Sequence, residues 1–140
     1  MEPTDDSDGE LRQQLILASA FFHGDPPTDR IRASSARVLR HALIAAGLWD
    51  DTLEAAAPAV FTGDEAAVAR FPVVEEWYST LIQLTRKRPK SARLLDGGGN
   101  MIAPAAPYFT GCWLTPAGRS EAERLLAQHP QWHAKLSSAR

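Results

Sequence analysis

The sequence predicts an α+β domain, mostly α, with about five helices and one small antiparallel β-hairpin. Three observations predict it. Apolar residues recur at helical spacing through most of the chain. Asp96-Gly97-Gly98-Gly99-Asn100 is the strongest turn signal, and a short apolar run lies on either side of it. Tyr108 to Leu114 reads as a strand that passes directly into a capped helix at Thr115-Pro116. There the threonine hydroxyl can accept from first-turn amides, and the missing N–H of proline costs nothing.

Residues 1–9 are polar and acidic and read as a disordered tail. Residues 10–136 read as one globular domain, and 137–140 as a frayed end. The first helix covers 10–22. Leu11, Leu15, Ala18 and Phe22 share one face, and Ile16, Leu17 and Phe21 widen it. His23 to Pro27 stops it, with Gly24 placed as a left-handed terminus. The second helix covers 28–47, capped by Thr28 and closed by Gly47. Ser35, Val38, Leu39, Ala42 and Leu43 belong to its apolar side, while Arg30, Ser34, Arg37 and His41 form a second face that reads as solvated.

A third helix spans 50–61 from a cap at Asp50 or Asp51, with Pro58 placed to break or kink it. Leu48, Trp49, Leu53 and Phe61 are expected in the core. Residues 64–70 can add a helical turn. The helix over 72–87 starts on Pro72, carries Glu75 and Glu76 near its positive end, and turns Val74, Trp77, Leu81 and Leu84 inward. Strands are expected at 92–95 and 108–114, and Pro104 and Pro107 exclude a long central strand between them. The last long helix, 116–128, buries Ala122, Leu125 and Leu126. One further turn over 131–136 tucks in Trp132 and Leu136.

At 140 residues, 44% hydrophobic and 23% charged, the chain has the size and composition of one ordinary globular domain. A net charge of −2 argues against a dedicated DNA packager. The charge is patchy, however. The first ten residues hold Glu2, Asp5, Asp6, Asp8 and Glu10 and no base, whereas residues 86–93 hold Arg86, Lys87, Arg88, Lys90 and Arg93 and no acid. The single cysteine, Cys112, rules out an intramolecular disulfide and a cysteine-built zinc site. With an acidic start and no long apolar run, the expectation is a cytoplasmic protein with no membrane partner.

No reaction is written in the sequence. Cys112 lies in an apolar strand, where a thiol behaves as a small inert hydrophobe. His129 and His133 are four apart, but Pro130 falls between them and no H-E-x-x-H pattern is present. His23 and His41 lie in separate segments with no evident partner. The glycine run lacks a following Gly-Lys-Ser/Thr, so it reads as a hairpin turn and not a phosphate loop. The expectation is therefore no catalytic residue, no metal and no cofactor. The four tryptophans read as packing, with Trp77-Tyr78 and Trp132 the ones to watch for partial exposure.

Several helices, a Gly-rich hairpin, and then Trp113-Leu114-Thr115-Pro116-Ala117-Gly118-Arg119 leading into Ala122 and Leu125-Leu126 is an order that resembles winged-helix proteins. It is similar to the end of the wing and the following helix in regulators of the multiple-antibiotic-resistance and phenolic-acid types. The resemblance implies a winged-helix-like fold in which helix 72–87 reads the DNA major groove and 96–107 is the wing. Two features depart from that pattern. The helix opens with Glu75 and Glu76 where basic and amide side chains are usual. The wing carries Asp96 and no Lys or Arg.

The expected function is a small non-catalytic binding module. One reading has it bind nucleic acid through Arg86, Lys87, Arg88, Lys90 and Arg93, helped by Arg37. The alternative is a protein-interaction or regulatory domain, with the basic run meeting an acidic protein surface or simply capping a helix in solvent. A third is a small enzyme of unstated reaction. If Arg30, Arg37 and Arg40 join the basic run in space, nucleic acid is favoured. If Asp96, Glu75 and Glu76 interrupt it, a protein partner is.

Overall fold

The computed structural model describes residues 3–26, 34–62, 64–97 and 111–137. Among these, seven α-helices and one two-stranded antiparallel sheet follow in the order α1 (Pro3–His23), α2 (Ser34–Ala45), α3 (Asp51–Phe61), α4 (Glu65–Arg70), α5 (Pro72–Thr85), β1 (Leu95–Gly97), β2 (Cys112–Leu114), α6 (Pro116–Gln128) and α7 (Pro130–Leu136). A mostly helical α+β domain is what the sequence predicts. The two extra helices are short segments expected only as single turns. Asp64 starts α4 by accepting from the Ala67 N–H at 3.0 Å, and Pro130 starts α7, where its missing N–H is harmless.

Helix α1 forms the centre. It packs against α2, α5, α6, α7 and β2, which explains why all six residues from Leu15 to Ala20 are buried, not one stripe. It also begins at Pro3, so residues 3–9, expected as a tail, are helical in the structure. Around it, Val38, Leu39, Ala42 and Leu43 of α2 close the core with Val74, Trp77 and Leu81 of α5, Leu95, Cys112, Leu125 of α6 and Leu136 of α7. The inward faces predicted for α5, α6 and α7 are the buried ones. Trp77, Tyr78 and Trp132 are buried too, so it is Trp49 and Trp113 that stay half-exposed.

The ends of the helices differ from expectation in instructive ways. Asp50 caps α3 by accepting from the Leu53 N–H at 2.8 Å. The helix runs on through Pro58 to Phe61. The Thr62 N–H and hydroxyl then both reach the Pro58 carbonyl, which closes the last turn. Gly24 is not left-handed; the described glycine with positive φ is Gly47, which ends α2. What Gly24 supplies is room: a Cβ there would lie 2.8 Å from the Ala20 carbonyl oxygen and 3.0 Å from that of Cys112. The Gly47 turn throws Leu48 outward, so this expected core residue is 46% exposed.

The hairpin forms with a shifted register. Helix α5 ends at Thr85, two residues early, and Lys90–Ala92 makes a 3₁₀ turn where a strand is expected. Arg86 closes the helix with its N–H on the Gln83 carbonyl, and the Pro89 carbonyl holds the 3₁₀ turn by accepting from the Ala92 N–H. Pairing therefore starts only at Leu95, opposite Leu114, and continues through Asp96 with Trp113 and Gly97 with Cys112. Thr115 caps α6 by accepting from the Gly118 N–H at 3.0 Å, and its own hydroxyl donates to the Arg93 carbonyl at 2.7 Å. The expected cap at Thr28, together with Arg30, the rest of the glycine turn at 98–100, Pro104, Pro107, residues 108–110 and residues 138–140, lies outside the described residues.

Candidate interaction surface

The basic run is the segment joining α5 to β1, and it is not uniform. Arg86 closes α5, its N–H bonding the Gln83 carbonyl. Arg86, Lys87, Arg88 and Lys90 are exposed and form no ion pair among the described residues. Arg93 differs. Its Nε donates to the Lys87 carbonyl at 2.9 Å, its guanidinium lies 3.7 Å from Asp96, and only 19% of its side chain is exposed. Arg93 thus folds the basic segment back on the hairpin, with an acid against its charge.

The arginines expected to extend this face are engaged elsewhere. Arg37 meets Asp25 at 3.2 Å and the His23 carbonyl at 3.4 Å, beside the end of α1. Arg40 meets Glu54 at 2.9 Å on α3 and lies over the Trp49 ring. That pairing, together with the Trp49 indole N–H, holds the Glu54 carboxyl below its ordinary pKa. Arg86, Lys87, Arg88 and Lys90 therefore form a cluster of exposed positive charge outside any ion pair among the described residues, in the segment leading to the hairpin. The other end of α5 exposes Glu75 and Glu76, and Glu76 faces Arg12 at 3.7 Å.

Beside that acidic end lies a groove of about 370 Å³, walled by Leu11 and Arg12 of α1, Ala46 and Leu48 of the α2–α3 turn, and Val73, Glu76 and Trp77 of α5. Leu11 and Leu48 are the exposed large hydrophobic residues of the described chain, at 44% and 46%. Both open into this one groove. Arg12 also lines it. It lies over the Trp77 ring, 5.9 Å from the centroid, and donates to the Thr80 hydroxyl at 3.3 Å. Leu11 sat on the predicted apolar face of its helix and Leu48 in the predicted core, so the sequence marked both as buried. The signal it did carry was Gly47, whose left-handed turn redirects the next residue.

The polar residues of α2 also depart from expectation. Ser34 and His41, seven apart and thus on one face, are buried and not solvated. The Ser34 hydroxyl accepts from the Cys112 N–H at 2.9 Å and donates to the Cys112 carbonyl at 3.3 Å. Burial pushes the Cys112 thiol up to about 12, leaving it protonated and unreactive. His41 stacks on His23, with ring centroids 3.8 Å apart and planes 8° from parallel. Two histidines that seemed partnerless in sequence are each other's partner. His129 stacks on Trp132, and His133 meets Phe22 edge-on. Among the described residues no group of three or more His, Cys, Asp or Glu side chains is placed to hold a metal ion, and no helix is long and apolar enough to cross a membrane.

Comparison with protein-family models, with curated proteins and with solved structures gives no match for this chain.

Proposed function

We propose that the chain is a protein-interaction module that receives its partner in the groove between α1, the α2–α3 turn and α5. The observation that carries this reading is that Leu11 and Leu48, the exposed large hydrophobic residues of the described chain, line one groove together with Trp77. Exposed apolar side chains gathered in one place mark a contact surface for another protein, since a phosphate backbone gains nothing from them. The winged-helix resemblance nominates α5 as a reader of DNA. Its N-terminal half instead borders an apolar groove and presents Glu75 and Glu76, which repel phosphate. The four free bases at its other end give the partner an orientation, attracting an acidic segment past the end of the groove.

Two variants test this. Leu48→Asp should abolish capture of the partner from an extract, while Arg86, Lys87, Arg88 and Lys90 changed together to Ala should slow association and weaken its salt dependence. A duplex-DNA titration at low salt should show no binding. DNA affinity that disappears in the four-Ala variant, with a salt slope lower by about one per lost base, would replace this reading by the nucleic-acid one.

A further inference from the structure

We propose that the stacked imidazoles of His23 and His41 form an acid-released latch holding helix α7 against α1 and α2. Each ring reaches the latch from a different helix. His23 is the last residue of α1, and its Nε2 donates to the carbonyl of Leu136, the last residue of α7, at 2.6 Å. His41 comes from the middle of α2. It is 4% exposed, and its Nδ1 is buried without a hydrogen-bond partner. Thus α1, α2 and α7 meet at two aromatic rings, both of which can be charged.

The surroundings favour neutral rings. Arg37 and Arg40 of α2 both bring positive charge to the pair. Of the acids nearby, Glu54 of α3 is paired with Arg40, and Asp25 from the turn after α1 is paired with Arg37 through Oδ1 while its Oδ2 is buried without a hydrogen-bond partner. From α7 come the Leu136 carbonyl and His133, which faces Phe22. Burial, then the neighbouring His23, then the arginines hold His41 down to about 4. Burial chiefly lowers His23 as well, and its bond to Leu136 partly opposes this.

A proton on His23 leaves its bond to Leu136 intact. A second proton, on His41, has no acceptor at Nδ1 and sets two cations face to face. The stack then opens, and the tie to Leu136 goes with it. Helix α7 is the element that leaves. It has seven residues, too few to persist alone, and its buried side chains are Trp132 and Leu136, with His133 edge-on to Phe22. Helices α1, α2 and α5 share the larger core and stay.

Amide hydrogen exchange of the intact chain between about pH 7 and about pH 4, corrected for intrinsic rates, reads the latch directly. Protection of residues 132–137 should fall by about tenfold per pH unit once His41 begins to titrate, while α1 and α2 stay protected. His41→Phe keeps an aromatic ring on His23 and cannot be charged, so its α7 should hold to a pH lower by about one unit or more. Should that variant fold poorly, His23→Gln keeps a donor for the Leu136 carbonyl and removes the facing cation, so its acid response should shrink, though less than in His41→Phe because His41 is still buried and titratable. A profile unchanged in the substituted chain, or α7 losing protection only together with α1 and α2, would overturn the proposal.

Discussion

A Cβ placed on Gly118 would lie 1.7 Å from the carbonyl oxygen of Leu94. The first turn of α6 therefore rests directly on the backbone that enters β1, and only glycine fits between them. In an ordinary helix interior alanine would be better than glycine by about 1 kcal/mol. Here the obstacle is backbone, which cannot turn aside as a side chain would. Gly118→Ala is expected to destabilise the fold by about 3 kcal/mol, read as a lower urea midpoint with an unchanged slope. A neutral or stabilising result would mean that α6 does not sit on Leu94.

That contact shows what was legible in the sequence and what was not. Leu114-Thr115-Pro116 announces a strand, a cap and a helix start, because each of those residues acts on its nearest neighbours. The strand and the capped helix are both found there. Gly118 is in the same motif, but its reason lies 24 residues away, in Leu94. Inward faces of α5 and α6 were readable because one apolar stripe meets one core. The wide apolar face of α1 predicts heavy burial, which residues 15–20 show, but not which helices cover it, since those come later in the chain. The groove and the histidine stack were missed for the same cause. Leu11 with Leu48, and His23 with His41, are brought together only by how α1 lies against its neighbours.

Ser34 and Cys112 make a buried pair that a hydroxyl alone satisfies. Removing it strands the Cys112 N–H in the core, where an unbonded donor costs about 2 kcal/mol. Ser34→Ala should lower stability by that amount. It should also speed thiol labelling of Cys112 by about thirtyfold under native conditions, because a protonated, fully buried thiol reacts only when the structure opens. Labelling that is fast in the wild type, or unaffected by the substitution, would contradict this account.

Arg93 and its four basic neighbours should separate cleanly by stability. The Arg93 side chain bonds the Lys87 carbonyl and faces Asp96, so Arg93→Ala should cost about 1 to 2 kcal/mol. The four-Ala variant of Arg86, Lys87, Arg88 and Lys90 should stay within about 0.5 kcal/mol of the wild type, since those side chains are in water. Urea melts of the two variants decide it. Equal losses in both would mean that the whole segment is structural and that its charge is not free for a partner.

Stability should fall on the acid side first through histidine, and the sign follows from where protons bind. An unfolded His41 takes its proton near 6.5, whereas the folded one waits until about 4. Between those values the unfolded chain binds more protons, so acid draws the equilibrium toward it. The histidine contribution is complete above about pH 6.5, declines as pH falls, and is exhausted near 4. For His41 alone it is on the order of 3 kcal/mol. His23 is lowered in the same direction and adds to it. Two carboxylates act in a more acid window. Glu54 beside Arg40 and Glu121 beside Arg124 are held below their ordinary value, so their contribution is lost only as pH drops through the carboxylate range. Urea denaturation across pH should therefore show the wild type weakening from about pH 6.5, before Glu54 and Glu121 lose their charge. In His41→Phe most of that early decline should disappear and the later one remain. An early decline of equal size in the variant would place its origin in some group other than His41.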